Sequence, residues 1–458
     1  MTQSAAPAPG GGPDAVRSAL NPGVRKREVW AWAMYDFANS GYTTVVLTTV
    51  FSAYFVGVVA GGAPWATLAW TAALSVSYLL VMAVLPTLGA RADARAAKRR
   101  LLFSSTAGCV AGTLALSQVG PGAVAAGLLL IVLSNTCYSI GESAIASFLP
   151  ELAAPHALGR VSGWGWGCGY FGGMLTLALS LWIVTAGEAR GLGAPQTVPW
   201  VMAATAAAFF LAALPAFLLL RERARPHPMA MGATGMLRRL ARSWRETGAQ
   251  FPDFRRLLAC IACYQAGIAV VVTLAAVYAS EVMGFGMQQV IVLVFVVNIA
   301  AAAGALSFGR VQDSIGHRRA LTITLAGWLV MVLTAAAAVR VEIFWAAAML
   351  AGLCMGTSQS AGRAMTGALA PPARLGEFFA LWTFAQQLAA AVGPLTYGLV
   401  TWGTGGNHRL AILVTGLFFV GGLALLARVD MDRGMAARRA AMDGAVPAIP
   451  AIPAMSRP

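Results

Sequence analysis

Three ionisable side chains fall where an apolar chain can least easily carry them. Asp36, Glu142 and Arg363 all lie inside long apolar stretches. A charge in a membrane span is costly and ordinarily faces the protein interior or a watery cavity, so each is a candidate to bind a solute or a proton. Asn39, Ser40 and Thr43 follow Asp36 at i+3, i+4 and i+7, along one side of a helix. Such a stripe suits a transport path in which Asp36 takes an amine or a proton. It suits equally a hydrogen-bonded helix–helix cluster near a membrane surface. Glu142 and Arg363 are expected near the same-side ends of spans in opposite halves of the chain. Paired, they would form a gate contact or a permanent structural bridge. Acting separately, Glu142 would carry a proton and the planar fork of Arg363 would take a carboxylate.

Uncharged polar candidates for a cavity wall are Gln265, Asn298, Gln359, Gln386 and Gln387. Each alone reads equally as an interhelical hydrogen bond. Tyr264 and Trp382 would either close over a solute or simply pack. The sharpest local pattern is the loop from Gly309 to Arg319, GRVQDSIGHRR, with Asp313 at its centre, Gly316 after it and Arg318-Arg319 at its end. Glycine permits close approach and unusual backbone angles. The aspartate is suited to pair with arginines or with the positive N-terminal end of a neighbouring helix. A looser copy runs from Gly89 through Asp93 to Arg99-Arg100. The two are expected to latch one face of the protein.

Other chemistries are excluded. Gly167-x-Gly169-x-x-Gly172 matches a dinucleotide fingerprint by letter but sits in an apolar stretch without a strand–turn–helix context. Gly163 and Gly167, and Gly165, Gly169 and Gly173, have the spacing of close helix packing instead. Neither Lys26 nor Lys98 follows a phosphate-binding glycine run, so ATP-driven transport is disfavoured. The histidines His156, His227, His317 and His408 are scattered, which suggests no zinc site. Gly356-Thr357-Ser358-Gln359-Ser360 falls short of a nucleophile elbow. All six cysteines lie in apolar runs, and the Cys260-x-x-Cys263 spacing lacks a second pair, so packing roles are expected. No enzyme, no cofactor and no metal is expected.

The elements that must position these residues follow from composition. The 458 residues are 58% apolar and 11% charged, about half the charge of a soluble domain. Twelve apolar stretches recur, at about 30–59, 65–88, 101–118, 123–148, 161–186, 199–220, 255–281, 287–309, 320–339, 342–366, 378–402 and 408–427. Each approaches the roughly 20 residues that cross a bilayer, and apolar residues surround each helix rather than lining one face. Period-2 alternation, the mark of a membrane β-barrel, is absent. With both termini cytoplasmic, inside segments hold 28 of the 32 basic residues, whereas outside loops hold only Arg190, Arg340 and Arg409. The net charge of +15 is therefore an orientation signal, not a nucleic-acid footprint.

The expected organisation is a cytoplasmic tail at 1–28, a six-helix bundle at 29–220, a cytoplasmic linker at 221–253, a second six-helix bundle at 254–427 and a cytoplasmic tail at 428–458. The ends at 1–24 and 444–458 read as solvated, and residues 1–24 are not expected to act as a signal peptide. Within the linker, Met236, Leu237, Leu240 and Trp244 share a helical face opposite Arg238, Arg239, Arg242 and Arg245, as in a helix lying on an anionic leaflet. The halves echo each other. Pro155-x-x-Leu158-Gly159 recurs as Pro372-x-x-Leu375-Gly376, 217 residues on, and Gly89-x-x-x-Asp93 recurs as Gly309-x-x-x-Asp313, 220 residues on. Parallel six-helix repeats mark one large class of carrier.

The loop at Gly309–Arg319 resembles the signature of the major facilitator superfamily between its eighth and ninth helices. The first copy departs from it at Ala96, where a second glycine is usual. Trp32-Ala33-Met34-Tyr35-Asp36-Phe37-Ala38-Asn39-Ser40 resembles the first-helix signature of the vacuolar amino-acid effluxer-like branch. Phe148–Leu152, Val161-Ser162-Gly163-Trp164-Gly165 and Gly376–Leu381 resemble its later blocks, so that the likeness runs from about 28 to 427. It implies an all-α, twelve-helix secondary carrier in two pseudo-symmetric bundles. For the fungal members of that branch it implies amino-acid export from the vacuole. The expected protein is a monomeric carrier in a bacterial inner membrane, rocking its halves around a central cavity and exporting amino acids or similar zwitterions with protons as coupling ion. A proton-coupled exporter of drugs or amphipathic metabolites, and a non-transporting receptor or scaffold on a carrier fold, are the alternatives. An intramembrane enzyme would need converging catalytic groups that the sequence lacks.

Overall fold

A computed structural model describes residues 19–224, 244–245, 247–285 and 287–442. Of the ends expected to be solvated, 1–18 and 444–458 lie outside the described residues, as do Met236, Leu237 and Leu240 of the expected linker helix, whereas 19–24 is anchored, with Asn21 Nδ2 donating to the Pro150 and Glu151 carbonyls at 2.9 and 3.0 Å. Twelve long helices follow one another: α1 (Lys26–Val59), α2 (Ala66–Arg95), α3 (Lys98–Leu116), α4 (Val124–Ala146), α5 (Leu158–Glu188), α6 (Ala194–Leu219), α7 (Pro252–Met283), α8 (Met287–Ile315), α9 (His317–Ala337), α10 (Val341–Leu369), α11 (Leu375–Gly403) and α12 (His408–Leu426). Eleven are long and apolar enough to cross a membrane. The twelfth, α3, begins Lys98-Arg99-Arg100, which dilutes its apolar content, yet it packs along α4 and α6 like the others. Large apolar side chains such as Leu68, Leu218 and Trp402 remain exposed on the outside, as a lipid-facing surface requires.

The two largest apolar cores belong one to each half. One gathers Trp32, Tyr42, Phe55, Ile145 and Phe209 from α1, α4 and α6. The other gathers Leu257, Leu325, Trp328, Phe378 and Phe419 from α7, α9, α11 and α12. The seam between them is built from α5 against α8 and α10, and from α2 and α4 against α11. The short loops joining α2 to α3, α4 to α5, α8 to α9 and α10 to α11 share one end of the bundle, here called the arginine-rich face.

Three features depart from the sequence reading. The segment after 427 is not all tail: a further helix, α13 (Met431–Met442), packs Met431 and Met435 against the second core. Asp253 at the start of α7 clamps it, accepting from Arg433 Nε and Nη2, each at 2.6 Å. Secondly, α1 is not a uniform α-helix, since Thr43–Thr49 and Phe55–Val59 are wound as π-helix. Thr48 and Thr49 hydroxyls donate to the Thr44 carbonyl at 2.9 and 2.6 Å, which supports the wider winding. Thirdly, a four-residue helix, Leu149–Leu152, interrupts the α4–α5 connection. The cysteines are all free thiols; Cys260 and Cys263 donate to the Gly422 and Phe418 carbonyls of α12, both at 3.3 Å.

The glycines of α5 act as packing residues on two faces. Side-chain atoms added at Gly165, Gly169 and Gly173 would strike Asp36, Ser40 and Thr44 of α1. Those added at Gly163 and Gly167 would strike Ala305 and Leu306 of α8. One helix thereby approaches both halves closely, which is what brings charges on α1 and α10 within reach of each other.

Candidate functional site

Asp36 lies ten residues into α1, about 15 Å from its start at 1.5 Å per residue. Arg363 lies six residues from the end of α10, about 9 Å by the same rise. Antiparallel placement of these helices sets both side chains at similar depth, nearer the arginine-rich face than the opposite one. There they pair: Arg363 Nη1 donates to Asp36 Oδ2 at 2.7 Å, and both residues are buried. Of the partners open to Arg363, the structure selects Asp36 rather than Glu142. The bridge joins the first half to the second.

The remaining guanidinium donors are also used. Arg363 Nε donates to Ser162 Oγ at 3.1 Å and Nη2 to the Ser162 carbonyl at 2.8 Å. Ser162 Oγ in turn donates to the Ser360 carbonyl at 2.9 Å. The indoles of Trp32 and Trp166 lie 4.6 and 5.4 Å from the guanidinium carbon, a cation–π arrangement that strengthens out of water. Gly165 supplies the room; a Cβ there would stand 2.5 Å from Arg363 Nη2 and closer still to Asp36. Glu142, half-buried on α4, feels the charges of both Asp36 and Arg363 and lies within reach of the Tyr138 hydroxyl. A second acid thus stands close enough to the bridge to interact with it electrostatically, while the guanidinium itself pairs with Asp36.

The other sequence candidates are dispersed around this centre. Asn39 is buried with neither carboxamide atom hydrogen-bonded. Ser40 faces Gly169, and Thr43 Oγ1 donates to its own helix at the Ser40 carbonyl, 3.1 Å away. Gln265 Nε2 donates to Gln359 Oε1 at 2.7 Å within the second half. Gln387 Nε2 donates to Ser139 Oγ at 3.0 Å, from α11 to α4. Asn298 donates to its own helix at Val294, 2.8 Å away, and borders a small cleft with Thr44 and Phe295. Gln386 is half-buried. Tyr264 and Trp382 are fully buried, and the Tyr264 hydroxyl and Trp382 Nε1 have no hydrogen-bond partner. Ser162 and Trp166 are the functional neighbours that residue type alone did not single out; Ser162 did stand in the block Val161–Gly165.

At the arginine-rich face the echoed motifs meet crosswise. Asp93, at the end of α2, accepts from the Gly376 and Glu377 amides at the start of α11, both at 2.9 Å. Asp313, at the end of α8, accepts from the Gly159 and Arg160 amides at the start of α5, at 2.8 and 3.0 Å. Each carboxylate caps the positive N-terminal end of a helix in the other half. Gly89 and Gly309 allow the backbones to touch, since a Cβ at either would meet the backbone at Gly376 or Gly159. The loop arginines do not pair with these carboxylates at close range, the nearest contact being Arg160 Nε at 3.9 Å from Asp313. Arg99 and Arg318 serve their own halves, donating to the Phe217 carbonyl at 2.7 Å and the Ala427 carbonyl at 2.9 Å, at the ends of α6 and α12. Arg100 and Arg319 are exposed. Gly316 takes φ +89°, and Ala96, its counterpart in the first copy, is forced to φ +47°.

This architecture is shared with known carriers. The human organic anion transporter MFSD10 superposes with a TM-score of 0.71 at 15% identity, covering 88% of this chain and 99% of that one. The proton:xylose symporter XylE also scores 0.71 at 15% identity, over 88% of this chain and 95% of its own. In sequence, the uncharacterized MFS-type transporter YxiO of Bacillus subtilis is 25% identical over 423 residues, 88% of this chain and 94% of the relative. Autophagy-related protein 22 of Cryptococcus neoformans is 28% identical over 187 residues, 37% of this chain and 32% of the relative. The family model described as vacuole effluxer Atg22 like matches residues 66–160 and 158–439. With that match over most of its length and the twelve-helix fold around it, the chain belongs to the vacuole effluxer Atg22 like family: it is a membrane transporter of the major facilitator superfamily, not an enzyme.

Proposed function

We propose that the protein is a secondary carrier that exports amino acids or similar small zwitterions by alternating access, with protons as coupling ion. The observation that carries this reading is the buried Asp36–Arg363 bridge between the halves. Parting a buried ion pair without replacing either partner costs about 3–5 kcal/mol. An amino acid replaces both at once, its ammonium for Arg363 and its carboxylate for Asp36. The empty carrier is then held together at the seam, and the loaded one is released to rock. Asn39, buried with an unpartnered carboxamide, is placed in the same helix to hydrogen-bond the incoming solute. Glu142 makes the site one carboxylate richer than its guanidinium can balance, so a proton on Asp36 or Glu142 levels the charge, and its exchange couples flux to a pH gradient.

The positive-inside pattern supports placing the arginine-rich face and both termini on the cytoplasmic side, and we take the protein as a monomer in a bacterial inner membrane. The Asp93 and Asp313 contacts then close the cytoplasmic side. The aromatic flanks Trp32 and Trp166 favour one second reading, a proton-coupled exporter of drugs or other amphipathic metabolites.

The test is flux in proteoliposomes over an amino-acid panel, with and without an imposed pH gradient. Asp36→Asn and Glu142→Gln are each expected to abolish gradient-driven accumulation. Normal accumulation by both variants removes the proton assignment. Transport of a lipophilic cation but of no amino acid replaces the zwitterion reading with the second one.

A further inference from the structure

Beside the latch, at the arginine-rich face, the seam forms a half-open chamber of about 250 Å³. Pro150, Glu151 and Arg223 wall it from the first half, and Pro372 and Arg438 from the second. Its charges are nearly all spoken for. Glu151 is engaged at one oxygen by Lys98 Nζ and at the other by the Arg223 amide, 2.9 Å away. The Arg223 guanidinium is 2.9 Å from Glu28. Arg438 is the exception: among the described residues no carboxylate pairs with it. Its Nη1 donates to the Ala368 carbonyl at the end of α10, at 3.0 Å, and its Nε is buried without an acceptor. A buried donor without an acceptor is costly, and Arg439 directly beside it adds like charge. Burial and that neighbour hold the Arg438 guanidinium below the usual arginine range. The side chain is nonetheless held in place, because the Arg433–Asp253 clamp and the packing of Met431 and Met435 fix α13.

We propose that this chamber is a binding site for a phosphate-type oxyanion, recognised by the fork of Arg438. A guanidinium and a tetrahedral oxyanion pair bidentately, and the oxyanion has lone pairs to spare for the orphaned Nε. The chamber's volume suits a phosphate group and its immediate substituent, not a folded partner. The same chemistry is offered by inorganic phosphate and by an anionic lipid headgroup. Since the walls come from both halves, an occupied chamber opposes their separation. That consequence rests on the alternating-access reading; binding itself does not.

The experiment is a phosphate titration of the full-length protein in nanodiscs of neutral phosphatidylcholine at constant ionic strength, read by isothermal calorimetry and melting temperature. Saturable binding is expected, weakened at least tenfold in Arg438→Gln and unchanged in Arg340→Gln, a control on the opposite face. A parallel arm replaces part of the neutral lipid with phosphatidylglycerol. An Arg438-dependent rise in melting temperature in that arm, with no further effect of free phosphate, identifies the headgroup as the source. Should Arg438→Gln fail to fold, phosphate protection of wild-type Arg438 from phenylglyoxal, followed by mass spectrometry, replaces it. Absence of any Arg438-dependent effect in both arms, or no protection, overturns the proposal. Because these readouts need no transport, they stand even if no amino acid moves.

Discussion

Asp93→Asn and Asp313→Asn test the crosswise latch most directly. Each aspartate accepts two backbone amides at 2.8–3.0 Å from the first turn of a helix in the other half. Asparagine keeps one acceptor oxygen but turns an NH2 group toward the second amide, donor against donor. A hydrogen bond to a charged group contributes about 1.5–3 kcal/mol, and a carboxylate at a helix N-terminus about 0.3–1 kcal/mol. Losing one such bond and the charge together therefore costs about 2 kcal/mol per site at the least. At 1.4 kcal/mol per tenfold this is roughly a 30-fold shift toward the open latch. Asp93 is the more deeply buried of the two, so its variant should show the larger effect. The assay is hydrogen exchange by mass spectrometry on peptides covering 155–161 and 372–378. Asp93→Asn should accelerate exchange at Gly376 and Glu377 about 30-fold, and Asp313→Asn should do so at Gly159 and Arg160. If the halves open as rigid bodies, each variant also accelerates the other's peptide. Acceleration confined to the mutated site refutes rigid-body coupling, and no acceleration at either site refutes the latch.

Two further substitutions probe the packing that holds the site. Gly165→Ala puts a methyl against Asp36 and Arg363; overpacking of this kind costs about 1–3 kcal/mol, and flux should fall while Gly57→Ala, whose Cβ meets open space, leaves it unchanged. Equal flux in the two variants would mean that the Asp36–Arg363 geometry does not limit transport. Ala96→Gly relieves a non-glycine left-handed residue and should stabilise the protein by about 1 kcal/mol, read as a rise in melting temperature; a fall would show that the Ala96 methyl packs favourably there.

Much of this was legible in the amino-acid order. Apolar length located the long helices, eleven of which are long and apolar enough to cross a membrane, because a bilayer imposes a simple length rule on the chain. The two pairs of echoed motifs also stood out, but their relation to each other did not. Asp93 and Asp313 bind peptide amides, and an amide is the same at every non-proline residue, so residue type carries no record of the recipient. The glycines Gly159 and Gly376 were visible only as repeats. Arg363 had two acids to choose from at similar depth, and helix rotation alone decides between Asp36 and Glu142. Helix α13 was hidden because its apolar content is low and its anchor, Asp253, lies far away in sequence. Ala96 shows the reverse: the departure from the usual glycine was plain, and the backbone kept the turn at the expense of strain.

The aspartate contacts also bear on where such a chain comes from. Each half offers one tongue and one socket, and each tongue enters the other's socket, so the interface is isologous in the manner of a twofold homodimer. A single six-helix ancestor with this one tongue and one socket would have closed upon a second copy of itself without any new surface. Fusion of two such copies would keep both contacts within one chain and leave each half at liberty to diverge. The acid of the central bridge then stands in one half and its arginine in the other, an asymmetric pair inside a symmetric shell.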